Sequence, residues 1–323
     1  MSDLMSQTKL VSIADADIAE EIPFTLSWGG NLEPLKNSLA RVGQITPLVL
    51  WPDQNEIKLL CGARRRRVLR ELGRNKYSSW LLPQGIRPEE AMLLAIEENL
   101  GHRQFNETEK ALVIKSLCRY IPIAEVASNY LPKLDIPPKD TFLNRYLSLN
   151  KLAPTGLEAL AGGRLDPETG EFLAGLSLPD QEAILSLLNV LNPNFNQRRQ
   201  LITWLEEISH REDRTMAEVL QDHDLQEILT ADNLNRSQKE KKIRSVLRSR
   251  RYPTLVRLEN DRMALLKKLA LPAAVHFKLP NNFEGLSFSM EIVFADVAGL
   301  RANLQALERA ADSPVMSDLL DLG

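Results

Sequence analysis

The sequence predicts an α+β protein: a small α/β unit in the first hundred residues, an all-α middle, and a short helix-strand-strand-helix end. Three observations predict it. Short strand-like segments, such as Glu56–Leu60 with its alternation, are confined to the start of the chain. From Glu107 onward, apolar residues recur at helical spacing for over a hundred residues. Alternation then returns at Ala274–Leu279 and Leu286–Phe294, between two helical stretches. A chain of 323 residues accommodates two or three domains. The expected divisions are 1–104, a helical domain at 105–235, a basic arm or linker at 236–254, and 255–323.

Composition narrows the class. Hydrophobic content of 44% and charged content of 26% are those of soluble globular proteins. No apolar run approaches the roughly 20 residues that span a bilayer, so no membrane partner is expected. Met1-Ser2-Asp3 opens without an apolar secretory segment. Cys61 and Cys118 have neither metal-ligand nor disulfide spacing. A reducing, cytoplasmic setting follows as the expectation. Net charge of −3 hides uneven spread, because Arg236–Arg251 carries eight Lys/Arg and one Glu.

Taken in order, residues 1–10 read as a loose terminus and Leu10–Ile13 as a first strand. Leu35, Leu39 and Val42 mark a helix that stops at Gly43. Pro47 opens a strand over Leu48–Trp51. The turn Pro52–Asn55 folds it against Ile57–Leu60 as a hairpin. Then comes Cys61-Gly62-Ala63-Arg64-Arg65-Arg66-Arg67-Val68-Leu69-Arg70-Glu71-Leu72-Gly73: a glycine turn, then a helix whose opening carries four arginines. Helix starts are already electropositive, and each exposed cation there costs about 0.3–1 kcal/mol. A bound polyanion would remove that cost, since free N–H groups, a glycine and guanidinium forks make a phosphate site. A solvated basic helix face is the alternative. Tyr77–Leu82 reads as a strand and Pro88–Asn99 as a helix with Glu89 and Glu90 favourably placed at its start. Asn106 and Glu109 form a capping box for the next helix.

The order Gly43-Gln44-Ile45-Thr46-Pro47-Leu48-Val49, Cys61 to Arg67, Glu98-Asn99-Leu100-Gly101-His102 and Asn106 to Ala111 resembles the N-terminal domain of the ParB family of partition proteins. Three signatures in order over about seventy residues make a specific match, where one alone would be weak. The resemblance implies a ParB/sulfiredoxin-like α/β fold that binds CTP with Mg²⁺. It places nucleotide at Gln44, Pro47, Gly62, Ala63, Arg64, Arg65, Arg67, Asn99, His102 and Arg103, and metal at Glu98 and Asn99. Glu98 is then the residue for any metal-assisted chemistry, at most a slow CTPase. Two departures stand out: the family Glu after the glycine is Ala63, and the family Arg of the Glu-Asn motif is His102, with Arg103 adjacent.

The helical middle resembles the family's helix-turn-helix. Lys139, Asp140, Thr141, Asn144 and Arg145 then open a helix that would enter a major groove. Asn and Arg can read adenine and guanine edges. Asn129–Asp135 makes the connection before it longer than a tight turn, and Pro167–Phe172 does not follow the family pattern. The basic stretch, with Lys241, Lys242, Arg248, Arg250 and Arg251, would either track a nucleic-acid backbone by counterion release or stand as a solvated helix. The C-terminal unit resembles the family's dimerisation domain. The resemblance as a whole implies a homodimeric, CTP-switched DNA clamp in chromosome or plasmid partition. Such a clamp would sit on the nucleoid, with a ParA-type ATPase as a further partner. The alternatives are a metal-dependent nuclease or nucleotide-using kinase on the same fold, and an adaptor that binds no nucleotide.

Overall fold

The computed structural model describes residues 7–20, 24, 26–278 and 289–321. The expected loose terminus before Gln7, the turn at Pro280–Asn282 and the strand start at Leu286–Phe288 lie outside the described residues. The chain divides into two compact units, Met1–Val190 and Leu191–Gly323.

The first unit opens with a four-stranded sheet. Its strands are β1 (Lys9–Ala14), β2 (Leu48–Asp53), β3 (Glu56–Cys61) and β4 (Lys76–Leu81), in the order β1-β4-β2-β3. β2 and β3 form the expected antiparallel hairpin, and β4 lies parallel to β2. Helices α1 (Glu33–Val42), α2 (Ala63–Glu71) and α3 (Pro88–His102) complete this part. One sheet face buries Leu48, Leu50, Leu59 and Tyr77 with Leu39 of α1 and Val68 and Leu69 of α2. α3 buries Ala91, Met92, Ala95 and Ile96 and packs on β3.

A register shift between Val49 and Leu50 sets Cys61 opposite Val49 and Leu59 opposite Leu50, with Leu60 as the extra residue. Paired residues face the same way, so the bulge turns Cys61 away from Leu48 and Leu50. Without it, Cys61 would share the face of Leu59.

Arg66 is the polar anchor of α2, with only 4% of its surface exposed. Its Nε donates to Asp15 Oδ1 at 2.8 Å, Nη1 to the Ala19 carbonyl at 2.9 Å and Nη2 to the Ile18 carbonyl at 3.0 Å. Arg70 donates to Asp15 at 2.6 Å and to Glu20. Burial alone would raise the Asp15 carboxyl, but the hydrogen bonds from Arg70 and Arg66 outweigh it and bring it from 3.8 to about 2.

The helical part runs through α4 (Glu107–Leu117), α5 (Ile123–Glu125), α6 (Asp140–Leu149), α7 (Pro154–Ala161), α8 (Pro167–Ala174) and α9 (Leu178–Leu191). The capping box expected at Asn106 and Glu109 is formed. The connection before α6 differs from expectation. α5 continues through a π turn at Val126–Tyr130 and a 3-10 turn at Pro132–Leu134, and Asp135 then reverses the chain at φ 57°. The residues read as a stretched loop are therefore mostly helical, and the break shrinks to Asp135–Lys139. Pro132 is accommodated because the wider π turn precedes it.

The second unit holds α10 (Phe195–Glu212), α11 (Met216–Leu220), α12 (His223–Thr230), α13 (Arg236–Arg251) and α14 (Pro253–Lys268). It ends with the hairpin β5 (Val275–Lys278) and β6 (Ser289–Ile292), then α15 (Val297–Ala311) and α16 (Pro314–Asp321). The basic stretch forms α13, which packs on α10 and α12 and buries Ile243 and Leu247 completely. Among the described residues no helix is long and apolar enough to cross a membrane.

Two outcomes follow for stability. Arg66→Ala leaves the Ile18 and Ala19 carbonyls without this donor and Asp15 with Arg70 as its remaining guanidinium donor, and should cost about 3–5 kcal/mol in urea unfolding. Asp15 favours the folded state above its ordinary value, and that contribution is lost as pH falls from 3.8 toward about 2. Asp15→Asn should flatten the stability curve across that window; an unchanged acid limb would contradict this.

Candidate functional site

The site is built on the turn from β3 into α2. Gly62 is left-handed at φ 99°, and a Cβ there would come 2.7 Å from Leu48 Cδ2. No side chain caps α2, so the N–H groups of Ala63, Arg64 and Arg65 lack helical acceptors. Arg66 N–H is the first to bond back, to the Gly62 carbonyl at 2.9 Å.

The five arginines of α2 divide by partner. Arg66 and Arg70 are held by Asp15 and Glu20. Arg67, expected on phosphate, is exposed and pairs with Glu71 at 3.3 Å on its own helix. Arg64 and Arg65 make no ion pair among the described residues, and the Nε of each is shut off from solvent without an acceptor. Arg65 lies over Gly62, 3.3 Å from where a Cβ would stand. Arg64 lies over Gly30, with Nη2 donating to the Asn31 carbonyl at 3.3 Å. A buried donor without a partner costs about 1–3 kcal/mol, more when charged. Arg64 and Arg65 each carry such a donor at the head of α2.

α3 packs on β3 beside this turn. Burial pushes the Cys61 thiol up, and the Glu98 carboxylate beside it pushes further, while Arg65 acts the other way. Glu98, Cys61 and Arg65 thus meet at one place, joining the Glu-Asn turn to the arginine turn. His102 Nε2 lies 4.0 Å from Glu98 Oε1 and is largely exposed. Ala63 packs against the apolar core and offers only its N–H.

Other residues expected at the site are engaged in holding the fold. Gln44 accepts from the Ser78 N–H at 3.0 Å and donates to the Ser78 carbonyl at 2.8 Å, behaving as one more rung beside β4. Pro47 is half-buried and leads into β2. Asn99 donates to the Ala95 carbonyl at 2.8 Å and accepts from Arg103 Nε at 3.1 Å. Arg103 donates to Glu109 at 2.6 Å and to the Leu26 carbonyl at 2.8 Å. Glu109, almost fully buried, also accepts from Trp28 N–H at 3.0 Å. Asn106 Nδ2 donates to the Trp28 carbonyl at 3.2 Å. These bonds hold the Leu26–Asn31 segment in place, and its far end meets Arg64. The sequence reading missed this segment; the Gly29-Gly30 pair was its only signal.

For the residues expected at DNA, Lys139, Thr141 and Asn144 are exposed at the opening of α6, with Lys139 as N-cap. Arg145 donates to Glu171 of α8 at 2.6 Å. In α13, Lys241 and Lys242 are exposed. The other three are not free: Arg248 pairs with Glu259 at 2.7 Å, Arg250 with Glu212 at 2.6 Å and Asp222 at 2.7 Å, and Arg251 with Glu207. Acidic residues from distant parts of the sequence neutralise them, which charge counting along the chain does not see.

No family model matches the chain. It is 25% identical over 167 residues to a probable chromosome-partitioning protein ParB of Campylobacter jejuni, covering 52% of this chain and 57% of that one. The chain thus spans little more than half the length of the curated relative it matches. C-terminally truncated ParB of Caulobacter crescentus complexed to the centromeric parS site is 17% identical, with a TM-score of 0.33 over 59% of this chain and 97% of that one. The same protein complexed with CTP-gamma-S is 18% identical, with a TM-score of 0.26 over 53% and 94%. Superpositions this partial carry nothing over to the present chain. The sequence match stands as a similarity to a ParB partition protein over about half of each chain.

Proposed function

We propose that this chain is a DNA-binding partition protein that takes a nucleoside triphosphate, CTP by its family resemblance, at the head of α2. The observation that carries the reading is the pair Arg64 and Arg65: two buried Nε–H groups without acceptors, beside three free backbone N–H groups and a glycine. Phosphate oxygens satisfy all of these donors at once. The N–H groups of Ala63, Arg64 and Arg65 bind phosphate, and the two guanidiniums neutralise it. Arg67 contributes little, because Glu71 and solvent already satisfy it.

Mg²⁺ fits with Glu98 as its protein oxygen. Asn99 is engaged elsewhere, and no grouping of three or more His, Cys, Asp or Glu that could hold a metal occurs among the described residues. Such an ion would rest chiefly on phosphate and water, as Mg²⁺ commonly does, and would neutralise phosphate charge. Binding energy rather than hydrolysis drives the switch. Phosphate draws Arg64 from the Asn31 carbonyl and so acts on a segment tied to the start of α4.

DNA is read by Lys139, Thr141, Asn144 and Arg145 of α6, with Lys241 and Lys242 as non-specific phosphate contacts. Exposed Val293, Phe294, Val297 and Leu304 near the C terminus support pairing with a second copy. A ParA-type ATPase as partner, and residence on the nucleoid, follow from the partition role.

Calorimetry with CTP and Mg²⁺ tests the nucleotide site. Arg64→Ala and Arg65→Ala should each weaken binding by about 10-fold or more, one to two charge-assisted hydrogen bonds, while Arg67→Ala changes it by less than about 3-fold. Absence of binding by the wild type defeats the nucleotide reading, and an equal loss at Arg67 defeats this division of the arginines. For DNA, Lys241→Ala or Lys242→Ala should lower the salt slope by about 1. Arg250→Ala should instead lower the melting temperature and leave that slope unchanged.

A further inference from the structure

We infer that Glu171 is a positioning residue for base reading by Arg145, a role that rests on α6 being the helix that enters DNA. Arg145 is held on two sides. Its Nε donates to Glu171 Oε2 at 2.6 Å, and its guanidinium lies 5.3 Å from the centroid of the Phe142 ring one turn earlier. The two terminal amino groups make no hydrogen bond to protein among the described residues. Those are the two donors that meet guanine O6 and N7 end-on. A carboxylate on the Nε edge and a ring on one face leave the guanidinium few directions to swing, so its free fork is aimed before DNA arrives.

Glu171 comes from Pro167–Phe172, the stretch that departs from the family pattern. It folds as the start of α8. Asp166 caps this helix by accepting from Thr169 N–H at 2.8 Å, and Thr169, Gly170 and Leu173 are buried. That burial fixes the rotation of α8, and the partly exposed Glu171 reaches α6. A surface tie between two helices would produce the same distance. The roles separate on DNA, because a carboxylate beside the phosphate backbone repels every sequence alike, while a buttress for Arg145 favours one base pair. Glu171 therefore lowers general affinity and raises discrimination.

The test begins by selecting duplexes from a randomised pool with the full wild-type chain. The selected duplex, its single-base variants and an unselected duplex are then titrated with wild type, Glu171→Ala, Glu171→Gln and Arg145→Ala, each checked by thermal melting. Glu171→Ala should lose about 5- to 10-fold of discrimination at one base pair, within the range of a single bidentate contact. It should be the base pair at which Arg145→Ala loses discrimination, and the unselected duplex should bind Glu171→Ala more tightly. Glu171→Gln should fall between. A wild-type base profile in Glu171→Ala, or an equal loss on all duplexes with a lowered melting temperature, overturns the inference and leaves DNA binding intact. A wild type that enriches no sequence overturns base reading by α6 itself, and this role with it.

Discussion

The candidate site depends on how α2 is seated. Gly62 lets β3 turn directly into the helix, in a conformation and a space that a side chain would not share with Leu48. Arg66 then sets the rotation, because its guanidinium is locked into a ring of Asp15, Ile18 and Ala19 acceptors. Helical residues are spaced about 100° apart. With Arg66 fixed toward the first strand and its following turn, Arg65 and Arg64 face away from that ring and over the two glycines. The same run thus supplies a structural arginine and two whose Nε groups have no acceptor.

The contact with α3 depends on a local irregularity. The bulge in β3 turns Cys61 toward α3, and Glu98 comes to rest beside the thiol and Arg65. A carboxylate there would repel a phosphate by itself; a divalent cation between the two would reverse that sign. The Arg103–Glu109 pair does a different task. Burial of Glu109 makes it costly to break, and among its further bonds are those to the Leu26 carbonyl and the Trp28 N–H. A loop with two glycines is held in one position by side chains roughly eighty residues away, and that loop ends on Arg64.

Much was legible from residue order. The hairpin, the glycine turn, the capping box at Asn106 and the helical middle are local choices, made by proline, glycine, alternation and capping chemistry within a few residues of where they act. That Gly62, Arg64 and Arg65 come together at one helix start was legible for the same reason. The π turn at Val126–Tyr130 was not: Asn129-Tyr130-Leu131-Pro132 reads as loop by composition, and burial of Val126, Leu131 and Leu134 keeps it helical.

By itself, then, the sequence determined most of the strands and helices, the position of the arginine-rich glycine turn, and which family the motifs resemble, because these depend on neighbours in the chain. The tertiary structure alone decided which cations are free. Arg66 and Arg250 look like Arg64 and Lys241 in a one-dimensional charge pattern, yet Asp15, Glu212 and Asp222 reach them only after folding. A guanidinium's availability is set by the acceptors that packing brings within hydrogen-bond range, and those come from parts of the chain far away in sequence.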